Sequence, residues 1–174
     1  ELNELILDNV SYKYPSASRY SVEAISTRLV RPSFICIVGK SGAGKSTLVD
    51  IISGLRSPSS GSMLVDGVSS ESLADDELIK AVAYVPQDIQ LLGKTIEEHI
   101  VFGSTSALDE ARIQKVLELA EISDLAATRA EARLVQLGEG GVGLSGGQRQ
   151  RIDIARALYS SSDLIILDEP GSAL

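Results

Sequence analysis

The chain has 174 residues, enough for one sizeable core, and its apolar content of 44% is ordinary for a globular protein. Its net charge of −8 argues against a general electrostatic grip on nucleic acid, whose phosphates attract basic surfaces. One cysteine excludes a disulfide framework within the chain, and no apolar run reaches the roughly 18 residues that a membrane span needs.

The first 30 residues predict two strands, at 4–14 and 22–30, from apolar residues that alternate with polar ones. Three apolar residues carry the pattern of the first strand: Leu5, Leu7 and Val10. Tyr14 closes that strand, and an aromatic ring there could stack on an adenine, worth about 1–3 kcal/mol by analogy with base stacking. From composition alone, a half-buried strand tyrosine is the better explanation.

A glycine-rich loop follows the next apolar run. Residues 34–38 (FICIV) are unbroken in apolar character, as expected of a strand buried on both faces of a parallel sheet, and Cys36 within them is predicted to be a buried core residue. Residues 39–46 fit the phosphate-binding pattern G-x-x-x-x-G-K-[ST], and helical periodicity follows. Loop amides and a helix N-terminus suit phosphate oxygens. The residues assigned to nucleotide binding are Gly39, Lys40, Ser41, Gly42, Ala43, Gly44, Lys45, Ser46 and Thr47.

Two side chains of this loop have predicted chemical roles. We expect Lys45 to reach the β- and γ-phosphates of a bound nucleotide. We expect the hydroxyl of Ser46 to coordinate Mg²⁺. A tight turn of small residues is the ordinary alternative, but it does not account for the strand before the loop and the helix after it.

The middle of the chain predicts a short strand at 63–65, a helix at 70–80 and a strand at 81–85. Gln87 lies just past that last strand, where an ordinary loop residue is the better explanation from position alone. Residues 95–100 and 109–126 predict helices. His99, the single histidine, cannot build a metal site alone and is predicted to be a surface residue of the first of these helices.

A second glycine-rich stretch, 138–147, ends in the segment Leu144–Gln148 (LSGGQ). Ser145 can cap the following helix, whose apolar positions include Ile152, Ala155 and Leu158. A serine hydroxyl, two glycine amides and a helix N-terminus together suit a phosphate group. A capped helix with a flexible entry explains the same residues equally well.

Residues 164–167 (LIIL) form a second fully apolar run that ends in two carboxylates, Asp168 and Glu169. The run predicts a parallel strand buried on both faces, with the carboxylates at its C-terminal end, where ligands bind in open α/β sheets. We expect Asp168 to help hold Mg²⁺, directly or through water, and Glu169 to polarise an attacking water.

Taken together, these segments resemble the nucleotide-binding domain of ATP-binding cassette (ABC) proteins over nearly the whole chain. Residues 39–47 look like the Walker A motif, 144–148 like the signature motif, and 164–169 like Walker B with its catalytic glutamate. Tyr14 stands where the family has its adenine-stacking aromatic, and Gln87 stands at the Q-loop.

The resemblance implies an α/β fold with a P-loop NTPase core, a mainly parallel sheet, an N-terminal antiparallel β segment and an inserted α-helical subdomain. It implies one ABC ATPase domain over 1–174: a mainly ATP-binding core at 1–103, a helical subdomain with the signature motif at 104–158, and the Walker B strand with the start of the D-loop at 159–174. The family's D-loop aspartate and switch histidine lie beyond residue 174, so we expect a C-terminally truncated fragment that lacks the last part of the domain.

The resemblance also implies the chemistry, ATP hydrolysis with Mg²⁺ that powers export across a membrane. The implied catalytic residues are Glu169, Gln87 and Lys45. The implied metal ligands are Ser46, Gln87 and Asp168. The implied contacts to ATP, beyond Walker A, are Tyr14, Gln87, Ser145, Gly146, Gly147 and Gln148. Of these, Ser145, Gly146 and Gly147 are expected to clamp the γ-phosphate of a partner cassette's ATP.

The implied partners are a second ABC cassette, identical or different, paired head to tail, and the transmembrane domain of a transporter; no nucleic acid is expected. The implied location is the cytoplasmic face of the cell membrane, the inner membrane in a bacterium, reached through a membrane domain outside this chain. Residues 92–100 and 138–140 look like exporter cassettes, although Gln136 stands where the family usually has glutamate.

Two alternatives remain open. The first is a soluble ABC-type ATPase that acts on nucleic acid or ribosomes, against which the acidic balance weighs. The second is a non-hydrolysing ATP-binding fragment, because the chain alone is expected to turn over ATP weakly or not at all. Glu169 favours a parent protein that hydrolyses ATP.

Overall fold

A computed structural model of the chain describes residues 2–73, 77–104, 107–138 and 143–168. The fold is α/β, with an antiparallel sheet, a separate parallel pair of strands and six α-helices within the described residues. The chain divides into two compact units, Glu1–Val82 and Ala83–Leu174. No helix within the described ranges has the length and apolar character that crossing a membrane requires.

The first unit is built on a four-stranded antiparallel sheet with the strand order β2-β1-β3-β4. The strands are β1 (Glu4–Tyr12), β2 (Val22–Val30), β3 (Ser60–Val65) and β4 (Val68–Ser69). β1 is central, and its alternating apolar residues are buried, which confirms the pattern expected of them: Leu5, Leu7 and Val10. Asp66 and Gly67 form the tight turn between β3 and β4.

The predicted helix after the glycine loop is present as α1 (Lys45–Ile52), which buries Thr47, Ile51 and Ile52. A 3₁₀ turn (Ser70–Ser72) and a short helix, α2 (Glu77–Ala81), then occupy most of the region predicted to be a helix at 70–80. Residues 74–76 lie outside the described ranges.

The strand expected at 34–38 is absent, and that prediction was wrong. Phe34 is 95% exposed and Val38 83% exposed, and Cys36 is also exposed rather than buried. An interior parallel strand is stabilised by hydrogen bonds to strands on both sides. In the described part of the chain, β1–β4 pair with one another and β5 pairs with β6, so this apolar segment belongs to neither sheet.

The second unit has a helical core. Its helices are α3 (Ile96–Ile100), α4 (Glu110–Leu119), α5 (Arg129–Ala132) and α6 (Gly146–Tyr159). Fully buried side chains of these helices and of the segments between them form one apolar cluster: Ile96, Ile100, Ile113, Leu117, Ile122, Leu137 and Ile152. α4 ends at Leu119, seven residues before the predicted end at 126, because Glu121 has a left-handed backbone (φ 53°) that stops the helix and turns Ile122 into the core.

The parallel pair in this unit consists of β5 (Val82–Val85) and β6 (Leu164–Leu167). β6 is not buried on both faces as predicted, because Ile165 and Leu167 are 38% and 39% exposed while Leu164 and Ile166 are half-buried. Successive side chains of a strand point to opposite faces, so one face of β6 is covered better than the other.

Candidate functional site

The glycine loop is shaped by Gly44, the residue before α1. Its φ of 89° lies in the left-handed region, and a Cβ built on it would stand 1.9 Å from the carbonyl oxygen of Ser21. Gly42 has a similar φ of 76°, but an added Cβ there meets nothing within 4 Å. Gly44 caps α1 without a side-chain hydrogen bond, so no side chain occupies the N-terminal amides of the helix.

The charge at this loop comes from Lys45, whose Nζ donates to the carbonyl oxygens of Gly39 at 2.9 Å and Lys40 at 3.2 Å. The ammonium group is thereby held against the loop. Ser46 is exposed in the first turn of α1. An open glycine bend, a lysine and a helix N-terminus form a donor set that fits a polyphosphate.

Tyr14 lies against the end of this loop. Its hydroxyl is 3.2 Å from Oγ1 of Thr47, and its half-buried ring meets Tyr12 edge-on with centroids 5.0 Å apart. Tyr14 and the loop, which the sequence-based prediction assigns to one site, therefore lie close together.

Arg56 completes the aromatic cluster and was missed from the sequence. Its guanidinium carbon is 5.0 Å from the ring centroids of both Tyr12 and Tyr14, and Asp50 accepts hydrogen bonds from it. The hydrogen bond between Arg56 and the Tyr12 hydroxyl raises the pKa of Arg56 above its ordinary value; burial acts the other way, and Asp50 adds to the rise. No sequence signal marks Arg56 as a neighbour of the site, because its contacts with Tyr12 and Tyr14 join distant segments.

The signature segment forms the predicted cap. Ser145 Oγ accepts from the amide of Gln148 at 3.1 Å, and Gln148 Oε1 accepts from the amide of Ser145 at 2.9 Å, which is a complete capping box. Gly146 and Gly147 are the first two residues of α6. Asp124 accepts a hydrogen bond from Gln148 Nε2, and this bond lowers the pKa of Asp124. Burial opposes the shift, and the charge of Arg151 adds to it.

The two predicted ligand positions after β5 and β6 are Gln87 and Asp168. Gln87 is exposed and follows Pro86 at the end of β5. The Asp168 amide donates to the carbonyl oxygen of Val85 at 3.0 Å, and Asp168 Oδ2 accepts from the hydroxyl of Tyr84 at 2.9 Å. Glu169, the predicted water-activating carboxylate, lies outside the described residues.

The prediction that His99 is a surface residue was wrong, since its side chain is fully buried. It follows Ile96 by three positions and precedes Ile100, so it shares their buried face of α3. Its Nδ1 accepts from the amide of Leu92 at 2.9 Å, and its Nε2 lies 3.0 Å from Oδ1 of Asp153. Both ring nitrogens are thus satisfied, and Nε2 is the one that carries the proton.

Asp153, on α6, joins His99 to Arg156. Arg156 Nε donates to Asp153 Oδ1 at 2.6 Å, and Arg156 Nη2 donates to the backbone oxygen of Tyr84 at 3.0 Å. Burial alone would raise the pKa of Asp153, but the hydrogen bonds from His99 and Arg156 and the charge of Arg156 lower it below its ordinary value. The sequence offered one signal, a carboxylate placed between two apolar positions of a helix.

The first exporter-like stretch, 92–100, contacts the two residues just before the second stretch. Thr95 and Gln136 form an antiparallel bridge, and the amide of Leu137 donates to the carbonyl oxygen of Lys94 at 2.9 Å. Gly138 is described, whereas residues 139 and 140 lie outside the described ranges.

No group of three His, Cys, Asp or Glu side chains able to hold a metal ion occurs at 2–73, 77–104, 107–138 or 143–168. A Mg²⁺ ion that arrives with a nucleotide needs fewer protein ligands, since phosphate oxygens and waters fill most of its positions. The hydroxyl of Ser46 and the carboxylate of Asp168 are oxygen donors of the type it prefers.

The known proteins that are similar to this chain agree with one another in the kind of protein they are. The chain is 35% identical over 173 residues to an ATP-dependent lipid A-core flippase of Cupriavidus metallidurans, covering 98% of the chain and 29% of that protein. It is 38% identical to the ABC-type transporter atr1 of Mycosarcoma maydis, covering 98% of the chain and 13% of that protein. The structure of a bacterial Atm1-family ABC exporter with ATP bound superposes with a TM-score of 0.88 at 32% identity, covering 100% of the chain and 30% of that exporter.

The chain therefore spans less than a third of the length of the proteins that it matches. The model of the family described as ABC transporter matches residues 22–172, which include the glycine loop, the signature segment and the strand that Asp168 follows. The chain belongs to the ABC transporter family.

Proposed function

We propose that this chain binds ATP with Mg²⁺ and, within the intact protein, hydrolyses it to drive export across a membrane. The proposal rests on the geometry of the loop at 39–46. Gly44 lies so close to the carbonyl oxygen of Ser21 that no side chain fits there, and the Lys45 ammonium donates to two carbonyl oxygens of the loop. This arrangement supports binding of a polyphosphate. Membership of the ABC transporter family supports ATP as that polyphosphate.

In this proposal, the amides of the loop from Gly39 to Thr47 hold the phosphates, the Lys45 ammonium exchanges its carbonyl partners for phosphate oxygens, and the Tyr14 ring stacks on the adenine. The neighbouring side chains of Arg56 and Tyr12 keep the Tyr14 ring in place. Ser46, Gln87 and Asp168 hold Mg²⁺, which neutralises charge that develops on the phosphate oxygens.

The remaining assigned residues act on water and on a second nucleotide. Glu169 orients and polarises the attacking water, with Gln87 as a sensor of the nucleotide. Ser145, Gly146 and Gly147 clamp the γ-phosphate of the ATP of a second cassette that pairs head to tail with this one, and Gln148 is assigned to ATP binding beside them. The cap of Ser145 on α6 supports this role because it orders a helix N-terminus, where an anion is bound favourably.

The proposed partners, beyond the second cassette, are the transmembrane domain of a transporter and, through it, the cytoplasmic face of a membrane. The bridge between Thr95 and Gln136 supports this, since it orders the stretch that resembles exporter cassettes. We also propose the division into a core at 1–103, a helical subdomain at 104–158 and a final segment at 159–174.

The test of nucleotide binding uses the two lysines of the loop. Lys45→Ala removes the ammonium held over the loop, and we expect MgATP affinity to fall by about 10- to 100-fold, the range for a lost hydrogen bond to a charged group. Lys40→Ala removes the side chain of the other lysine and keeps the backbone oxygen that accepts from Lys45 Nζ. Calorimetric titration of both variants with MgATP gives the measurement, and equal affinities in the two variants would contradict the assignment.

A further inference from the structure

Asp168 is held by β5 at two points, one on its backbone and one on its carboxylate. Its backbone amide donates to the carbonyl oxygen of Val85, which fixes the position of the residue at the end of β6. Its Oδ2 accepts from the hydroxyl of Tyr84, the residue before Val85 on β5, at 2.9 Å. A hydroxyl that donates to an ionised carboxylate forms a charge-assisted hydrogen bond and restricts the rotation of that carboxylate.

The backbone of Tyr84 is itself anchored to α6. Arg156 Nη2 donates to the Tyr84 carbonyl oxygen at 3.0 Å, and Asp153 holds the guanidinium through Nε at 2.6 Å. His99 in turn binds Asp153 from α3. The anchor is buried on the His99 and Asp153 side, where side-chain exposures are 0% and 4%, so its geometry is protected from competing water.

We propose that Tyr84 is a positioning residue for the metal site, which presents the Asp168 carboxylate to Mg²⁺ and is itself held by Arg156, Asp153 and His99. The inference rests on the proposed function, because it takes Asp168 as a metal ligand. Ligating carboxylates are commonly hydrogen-bonded to an outer partner, and loss of such a partner typically lowers metal affinity or activity by about 10- to 100-fold.

The test compares nucleotide affinity with and without metal in the intact protein. Tyr84→Phe keeps the ring and removes only the hydroxyl. We expect ATP affinity measured in EDTA to be unchanged, and the gain in affinity on adding Mg²⁺ to shrink by about tenfold. A purely structural role for Tyr84 would change both affinities together, so the split between them identifies positioning.

Two further variants make the outcomes distinct. Tyr159→Phe is the matched control, because its hydroxyl accepts from the Asp109 amide at 3.1 Å in the same unit, and its Mg²⁺-dependent gain is expected to be normal. Asp168→Asn tests the proposed function and is expected to abolish the gain. If Asp168→Asn lowers the gain and Tyr84→Phe does not, the positioning role is wrong; if Asp168→Asn leaves it intact, the metal assignment fails and the inference fails with it.

Arg156→Lys gives an independent variant that leaves Tyr84 in place. Lysine keeps a cation beside Asp153 but lacks the fork that reaches both Asp153 and the Tyr84 carbonyl. We expect ATP affinity in EDTA to be unchanged and the gain in affinity on adding Mg²⁺ to shrink, but by less than in Tyr84→Phe. A normal Mg²⁺-dependent gain in a folded Arg156→Lys protein would overturn the part of the proposal that assigns Tyr84 to this anchor.

Discussion

At the scale of single residues, Gly42 and Gly44 have similar backbones and different surroundings. Both have a left-handed φ, of 76° and 89°, which disfavours any side chain. An added Cβ finds open space at Gly42 and the Ser21 carbonyl at Gly44. The pair therefore separates the cost of backbone strain from the cost of a steric clash.

We expect Gly42→Ala to lower the free energy of unfolding by about 1–2 kcal/mol, the usual cost of a left-handed alanine. Gly44→Ala should cost clearly more, because the new methyl group overlaps a backbone atom that cannot rotate away. Urea unfolding of both variants provides the comparison. Equal losses would mean that the Ser21 carbonyl moves aside at little cost.

Residue-level prediction succeeded where the pattern is local. The spacing of glycines and Lys45 in the loop, and the serine that caps α6, follow directly from short motifs, and the structure confirms the cap. His99 was placed wrongly because its burial depends on a carboxylate 54 residues further along the chain. Tyr84 escaped notice for the same reason, since its partner Asp168 is 84 residues away.

At the scale of secondary-structure elements, α5 and α6 begin with the same capping box, formed by Thr128 with Glu131 and by Ser145 with Gln148. Both boxes consist of the same two reciprocal hydrogen bonds, yet only the second belongs to the signature segment. They can therefore separate helix capping from a role in catalysis.

Ser145→Ala and Thr128→Ala are each expected to lower the free energy of unfolding by about 0.5–2 kcal/mol, because each leaves helix amides without a side-chain acceptor. Only Ser145→Ala is expected to reduce ATP turnover of the intact protein at least tenfold. Thermal or urea unfolding and a phosphate-release assay measure the two effects. A matching loss of turnover in Thr128→Ala would show that the cap acts through stability alone.

The buried Asp153 makes the contact of α6 with α3 depend on pH. Its lowered pKa means that the folded state binds fewer protons than the unfolded state near pH 4. The stabilisation is therefore present above the ordinary aspartate pKa, about 3.9, and is lost as the pH falls through the lower pKa of the folded state.

Asp153→Asn is expected to cost about 1.5–3 kcal/mol at pH 6, the value for hydrogen bonds to a charged group. The difference in free energy of unfolding between the parent and Asp153→Asn should shrink as the pH falls from 5 to 3. Urea unfolding across that range measures it. A difference that stays constant or grows toward pH 3 would contradict the role of the ionised carboxylate.

At the scale of the whole molecule, the family assignment and the α/β class could be predicted, because each depends on several segments that agree with one another. The exposure of 34–38 and of one face of β6 could not be predicted. An apolar run indicates that a segment favours a buried environment, but it does not indicate whether neighbouring strands cover that segment. Phe34 and Ile165 remain exposed for this reason.

Pairing of two cassettes gives a prediction for the intact protein. Glu169→Gln keeps the shape of the side chain but removes the base, so bound ATP should persist and trap a dimer that light scattering detects. Adding Lys45→Ala to that variant should abolish the dimer, because ATP no longer binds. A protein that stays monomeric in saturating ATP would exclude the head-to-tail arrangement.

Cys36 has a practical consequence at this scale. It is the one cysteine of the chain, it is exposed, and it lies three residues before Gly39. A maleimide fluorophore would therefore attach to this segment at a single point without any engineering of this sequence. Such a dye would sit next to the phosphate loop and report, by a change in emission, the arrival and departure of nucleotide in real time.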